Sequence, residues 1–332
     1  MGKSDITTKA YMSKNEIFAD AFNFLIYDGE QVIKADELEE LDSTEIVLPY
    51  GNRTSEPKQK FRDVLKIWTA KRDKKAVYVV LGIENQSEIQ YAMAVKNMLY
   101  DSMNYASQVE KAARSYRKNK NNLRLSSAVF LSGFRKEDKL IPVITLTVYF
   151  GAEKWDGAKS IHEMLSVQDE ELLKFVPDYK LNLITPASIK EEDFEKFKTG
   201  LGMAMQYIKH QKDEDLASIA KNKKFEQVDR DTANLINTFS KSKLKFEENR
   251  GDVNMCYALE NSLRKAKQEG KIEGKIEGKI EGKIEGKIEG ENNLLKLIKF
   301  LIRDNKQQEI ERITNDEQKR QELYKFYGIV TE

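Results

Sequence analysis

Residues 76–86 read AVYVVLGIENQ, and residues 60–68 before them read KFRDVLKIW. β-Branched and aromatic side chains crowd the first stretch, which predicts a strand, and the second reads as its neighbour. Side chains alternate faces along a strand, so Glu84 and Gln86 point one way and Asn85 the other. Working outward, residues 44–50 predict a further short strand. Residues 89–118 carry apolar residues at 91, 92, 95, 98, 99, 103, 106, 109 and 113, the period of a helix. Strands are expected near 125–131 and 141–150, punctuated by Gly133 and Pro142. Upstream, SKNEIFADAFNFLIY (13–27) predicts a helix that Asp28-Gly29 ends; Ser13 can cap it, with Glu16 at capping-box spacing. Helix, strands, helix, strands describes a mixed α/β domain.

Composition narrows the chemistry. The 332 residues suffice for one sizeable domain with appendages, or for two domains. A net charge of +1 means that any surface for a polyanion must be local. The single cysteine, Cys256, allows no intramolecular disulfide and fits a reducing compartment. The first residues lack the apolar stretch of a signal peptide, and the apolar runs near 76–83 and 140–150 are too short to span a bilayer. The expectation is a cytoplasmic protein with no membrane partner. Two histidines, His162 and His210, are too few and too far apart for Cys/His zinc sites, and neither sits in a nucleophile context. No phosphate-binding loop of the G-x-x-x-x-G-K-[ST] type occurs. Catalysis would therefore run on carboxylates, which favour an oxygen-loving cation.

Asp63 and Glu84 fall on the two neighbouring strands. Carboxylates from adjacent strands can converge on one Mg²⁺, an ion that keeps several waters while held by one or two acids. Such an ion lowers the pKa of its water and stabilises charge on a phosphate. Gln86 would lie beside that water. Taken alone the D…E-x-Q pattern is weak, since such triplets arise by chance in many charged proteins, and spacing alone favours simple pairing of these acids with Arg62 or Lys66 on a solvated edge.

The stretches FRDVLKIW and YVVLGIENQSEIQYAMAVKNMLYDSMNYASQV resemble the Rpn-type family of recombination-promoting PD-(D/E)XK nucleases, also labelled YhgA-like transposases. NEIFADAFNFLIYDGEQVIKADELEELDSTE and LIPVITLTVYFGAEKWDGAKSIHEML resemble it as well. The likeness runs collinearly over residues 11–170. It implies an αβββαβ restriction-endonuclease-like core with a mixed sheet, and metal-dependent DNA cleavage linked to recombination or mobile elements. The first catalytic acid carries over to Asp63 and the second to Glu84. The lysine position of the wider superfamily falls on Gln86, which lacks the positive charge and leaves more of the burden to the metal. Mg²⁺ is the implied ion, with Mn²⁺ or Ca²⁺ as alternatives. An acid of the first helix often assists the metal in this superfamily. Glu16 is the candidate, with Asp20 one turn further; helix capping explains Glu16 equally well.

Phosphate neutralisation dominates DNA affinity. Residues 111–124, KAARSYRKNKNNLR, hold six Lys/Arg and no acid. Lys111, Arg114, Arg117 and Lys118 share one side of the helix and form the expected DNA-binding patch, although cations at a helix end are also favoured by its dipole.

The chain then divides by character. After the core at 11–170, residues 171–266 read as mainly helical. Residues 267–290 run KQEG followed by five copies of KIEG, and 291–332 hold two further helices, one at 294–302 and one starting near Thr314. Ile272, Ile276, Ile280, Ile284 and Ile288 recur every fourth residue, so on a helix the stripe rotates by about 40° per repeat; either the segment is a loose tether or a partner helix supports it as in a coiled coil. Like charges repeat at i,i+4, and six glycines cost on the order of 5 kcal/mol against alanine. A spacer setting the reach of the terminal module is expected. In that module Leu294, Leu295, Ile298, Leu301 and Ile302 form one face, suited to packing on its own chain or to a homodimer.

Three readings stand open at this point. The first is a Mg²⁺-dependent DNA endonuclease, the second a catalytically weakened DNA-binding relative. The third is an interaction protein acting through the repeat and the terminal helices.

Overall fold

The computed structural model describes residues 3–41, 44–47, 58–61, 63–72, 75–118, 129, 132–211, 219, 221–239, 244–246 and 251–329. Two compact units result, Met1–Glu260 and Asn261–Glu332.

The first unit opens with α1 (Lys3–Met12), which sequence patterning does not reveal because KSDITTKAYM has no apolar stripe. Its Tyr11 and Met12 are nevertheless buried, and Tyr11 shares a 2.8 Å hydrogen bond with Thr232. Helix α2 (Asn15–Tyr27) follows after two residues. Ser13 does not cap it: the Ser13 hydroxyl donates back to Lys9 O at 2.7 Å, closing α1, and Lys14 stands at the N-cap without a side-chain capping bond. The capping box fails because a second helix occupies the residues before it. Asp28 (φ 53°) and Gly29 (φ 90°) end α2 in the left-handed region. Gly29 is required there, since a Cβ would stand 2.7 Å from that of Lys196.

Among the described residues seven strands follow: β1 (Leu38–Glu40), β2 (Thr44–Val47), β3 (Lys58–Phe61), β4 (Val64–Arg72), β5 (Lys75–Gln86), β6 (Val143–Tyr149) and β7 (Asn182–Ile184). The stretch 60–68, read as one strand, divides: β3 pairs with β2 in a two-stranded ribbon, whereas β4 enters the main sheet. That sheet has the order β1-β4-β5-β6-β7. β1 and β4 pair antiparallel, as do β4 and β5, whereas β5–β6 and β6–β7 are parallel. The crossover from β5 to β6 contains α3 (Met93–Lys118), as a parallel pair requires. The strand expected near 125–131 lies outside the described residues, save for Val129.

Alternation gives the sheet two unlike faces. On one, Val64 and Trp68 of β4, Leu81 and Ile83 of β5, and Leu146 and Val148 of β6 join Phe18 and Phe22 of α2 in the main core. The same core includes Leu201, Met205 and Tyr207 of α4 (Gly200–His210) and Leu235 and Ile236 of α5 (Arg230–Phe239). Residues 171–260 thus complete the core of the first unit and are not an appendage to it. Between β6 and α4 the chain is mostly loop with single helical turns, less helical than its composition suggests. The other face of the sheet belongs to α3.

Helix α6 (Met255–Arg303) begins with Met255 and Leu259 in that core and continues unbroken through the tetrapeptide repeat. The repeat is therefore helical. Its isoleucines remain 53–59% exposed, so propensity and packing within the repeat contribute little. In the second unit, Leu297 and Leu301 of α6 pack with Ile313 of α7 (Gln308–Asn315), Tyr324 of α8 (Glu317–Phe326) and Ile329. Leu295 and Ile302, expected on the packing face, are exposed, and Leu297 takes their place. The last helix starts at Glu317 and not near Thr314, because Asp316 accepts from Lys319 N at 2.9 Å and caps it. Among the described residues no helix is long and apolar enough to cross a membrane.

Candidate active site

In the ladder of β4 and β5, Val64 stands opposite Ile83. Asp63 occupies the bend immediately before β4, and its Oδ2 accepts the Asn85 backbone N–H at 2.8 Å. That bond holds the Asp63 carboxylate against the residue following Glu84. Asp63 thus lies beside the end of the strand that carries Glu84.

Glu84 is only 1% exposed, and its Oε2 lies 2.7 Å from Lys96 Nζ on the first turn of α3. Across the parallel pair it is in register with Thr147, whose hydroxyl accepts from Asn97 Nδ2 at 2.9 Å. Gln86 follows on the same face, half-buried, with its backbone carbonyl accepting from Phe150 N–H at 2.8 Å.

This polar pattern continues down α3. Thr145 donates to Asp101 Oδ1 at 2.5 Å, and Tyr179 donates to Asp101 Oδ2 at 2.6 Å. Val143 N–H donates to the Tyr105 hydroxyl at 3.1 Å, and Gln108 bonds both the N–H and the carbonyl of Ile141. Four residues of helix rise about 6.0 Å and two residues of strand about 6.6 Å, so rungs from Asn97 to Gln108 stay in step with β6. Helix α3 is thereby locked to the sheet in one register, which fixes Lys96 over Glu84.

The apolar stripe read along this helix is partly inverted. Tyr91, Val95 and Leu99 are exposed, whereas Asn97 and Asp101 are buried. Helical periodicity assumes an apolar surface beneath, and here the sheet presents Glu84, Thr145 and Thr147. Lys96 and Asn97 were missed for that reason. The available signal was the pair of threonines alternating within the otherwise apolar VITLTVY, matched by Asn97 and Asp101 at i,i+4.

Glu16 and Asp20 do not join Asp63 and Glu84. Lys66, on the α2 face of β4, donates from Nζ to Ser13 O at 2.7 Å and to Asn15 Oδ1 at 2.6 Å, placing the start of α2 on that face. Burial pulls the Lys66 pKa down, against the attraction of Glu40 and Glu16. Glu16 is exposed there. Asp20 is buried and fully used, accepting from the backbone N–H groups of Lys198 and Thr199 and from the Thr199 hydroxyl. The sheet itself separates both acids from Glu84.

Of the basic patch, Lys111 is exposed, and Arg114 pairs with Glu110 at 3.0 Å, so the surface is less purely positive than 111–124 alone suggests. The side chains of Arg117 and Lys118 lie outside the described residues. Lys111 is fifteen residues along α3 from Lys96, about 22 Å by helical rise.

Two features bear on whether a divalent cation fits. Every candidate donor is oxygen, as Mg²⁺ demands. Asn97 is wholly buried, and its Oδ1 has no hydrogen-bond partner among the described residues. An orphaned buried acceptor costs roughly 1–3 kcal/mol, which a donor such as a metal-bound water would relieve. Among the described residues no three His, Cys, Asp or Glu cluster as metal ligands, so the fit is to a two-carboxylate ion with retained waters.

A family model described as "Putative transposase, YhgA-like" matches residues 54–234, more than half of the chain. The chain belongs to this family. The YhgA-like match contains Asp63, Glu84, Gln86 and Lys96 and continues through α4 into α5, in keeping with a single core for the first unit. No curated protein and no solved structure gives a significant match.

Proposed function

We propose that this YhgA-like chain is a metal-dependent DNA endonuclease with a PD-(D/E)XK core, acting in recombination or in the movement of genetic elements. The observation that carries the reading is the bond from Asn85 N–H to Asp63, which ties the first acid to the strand end bearing the second. The order α2, β1, β4, β5, α3, β6 supports it, since it follows the αβββαβ sequence of such cores.

Asp63 and Glu84 would hold a Mg²⁺ or Mn²⁺ ion. When bound, that ion supplies an acidified water and a counter-charge for the scissile phosphate. The remaining work falls to the protein. The Asn85 N–H fixes the direction of the Asp63 carboxylate, and the buried setting of Glu84 strengthens its electrostatic attraction for a cation. Gln86, with no charge to contribute, offers an amide that can both donate to and accept from a water or a phosphate oxygen. Lys111 and its neighbours at the far end of α3 would track the DNA backbone some 22 Å away. A second reading, DNA binding without cleavage, is favoured by the Glu84–Lys96 ion pair, which already neutralises one of the two acids.

A plasmid-nicking assay separates the two. Wild-type protein with Mg²⁺ or Mn²⁺ is expected to nick, and chelator or the Asp63→Ala/Glu84→Ala double substitution is expected to abolish it. Retarded DNA mobility with no nicking under any divalent ion would establish the second reading instead.

A further inference from the structure

We propose that Lys96 is the resident counter-cation of Glu84, that a divalent ion enters the site only by displacing it, and that this lysine therefore sets the site's metal affinity. The inference rests on the reading of Asp63 and Glu84 as metal ligands. Glu84 is 1% exposed, and a carboxylate so deeply buried requires a paired charge. Lys96 supplies it at 2.7 Å, reaching in from a side chain that stays 29% exposed.

The two cations would repel each other strongly at that oxygen. A Mg–O bond is about 2.1 Å long, so an ion on Oε2 would stand within roughly 5 Å of the ammonium, placing three positive charges in a low-dielectric pocket. Lys96 has somewhere to go. It borders a surface cavity of about 300 Å³ lined by Gln90, Val95, Leu99 and Tyr100. Its Nζ is already 5.8 Å from the Tyr100 ring centre, within reach of a cation–π contact. The rest of α3 need not move, because the rungs from Asn97 to Gln108 anchor the helix independently of Lys96.

The test is Mn²⁺ binding to the full chain without DNA, followed by calorimetry. Lys96→Met is expected to bind Mn²⁺ on the order of tenfold tighter than wild type, since the Lys96 charge no longer competes for Glu84. Mn²⁺ should also raise its melting temperature by more than it raises that of wild type. Lys96→Arg, which keeps the charge, should stay near the wild-type affinity. Lys96→Gln serves if the methionine variant folds poorly. The wild type also answers directly: Mg²⁺ should shift the Lys96 side-chain resonances in a lysine-labelled sample. Equal or weaker Mn²⁺ binding by the folded neutral variants, or Lys96 resonances unmoved at saturating Mg²⁺, would overturn the proposal. Identical binding by wild type and Asp63→Ala/Glu84→Ala would instead overturn the metal-site reading beneath it, and the proposal with it.

Discussion

The two faces of the five-stranded sheet are built differently. Toward α2, Phe18, Phe22, Leu81, Ile83 and Leu146 are all buried in one apolar core. Toward α3, the same strands β5 and β6 present Glu84, Thr145 and Thr147, and the helix answers with Lys96, Asn97 and Asp101. The first face is held by area removed from water; the second combines apolar contacts, among them Leu65, Val80 and Val143, with paired polar groups whose worth depends on every partner being present. A sheet that needed only stability could have been apolar on both sides. On that polar side the buried Glu84 is paired with Lys96, and the proposed site is centred there.

Substitutions should divide along that line. The largest stability effect is expected from Phe22→Ala, wholly buried under the sheet. It should cost about 3–5 kcal/mol in urea unfolding. Glu84→Gln should do the reverse. Cleavage falls on the order of a thousandfold, equivalent to several kcal/mol of lost charge stabilisation. Stability falls less than for Phe22→Ala, because the Lys96 ammonium left behind still touches water.

A smaller effect probes the polar face itself. Thr147→Val strands the buried Asn97 amide and should cost roughly 1–3 kcal/mol, whereas Asn97→Leu combined with Thr147→Val should recover most of it. Additive losses in that double-mutant cycle would contradict the pairing. The smallest effect lies at alkaline pH. Burial pushes the phenols of Tyr11 and Tyr149 above the ordinary tyrosine range. Unfolded tyrosines ionise near pH 10 while these stay protonated, so above that pH the unfolded state binds fewer protons. Their contribution is whole below about pH 10 and is lost as pH rises beyond it. Tyr11→Phe should flatten the alkaline limb of a stability–pH curve more than Tyr149→Phe.

The apolar face was legible in the sequence and the polar face was not. The β-branched run at 76–83 and the stripe of 13–27 announced their elements because burial against apolar partners leaves a periodic trace. Asp63 and Glu84 stood out in the sequence because the segments carrying them are neighbours, although Asp63 proves to lie on the bend before β4. Glu16 and Asp20 were misplaced because nothing within α2 tells which face of the sheet it covers, and that depends on the parity of β4, seen in Lys66 reaching Ser13 and Asn15. Lys96 and Asn97 escaped notice because a polar residue on a helix reads as solvated until the sheet beneath it is known to be polar. The repeat was harder still. Its glycines and like-charge spacings oppose a helix, yet α6 runs through it.

The most direct measurement is anomalous scattering from crystals of the wild-type chain soaked in Mn²⁺. A single manganese peak in contact with carboxylate oxygens of both Asp63 and Glu84 is predicted, with Lys96 Nζ moved off Glu84. A peak elsewhere, or none while Lys96 stays on Glu84, would contradict the account.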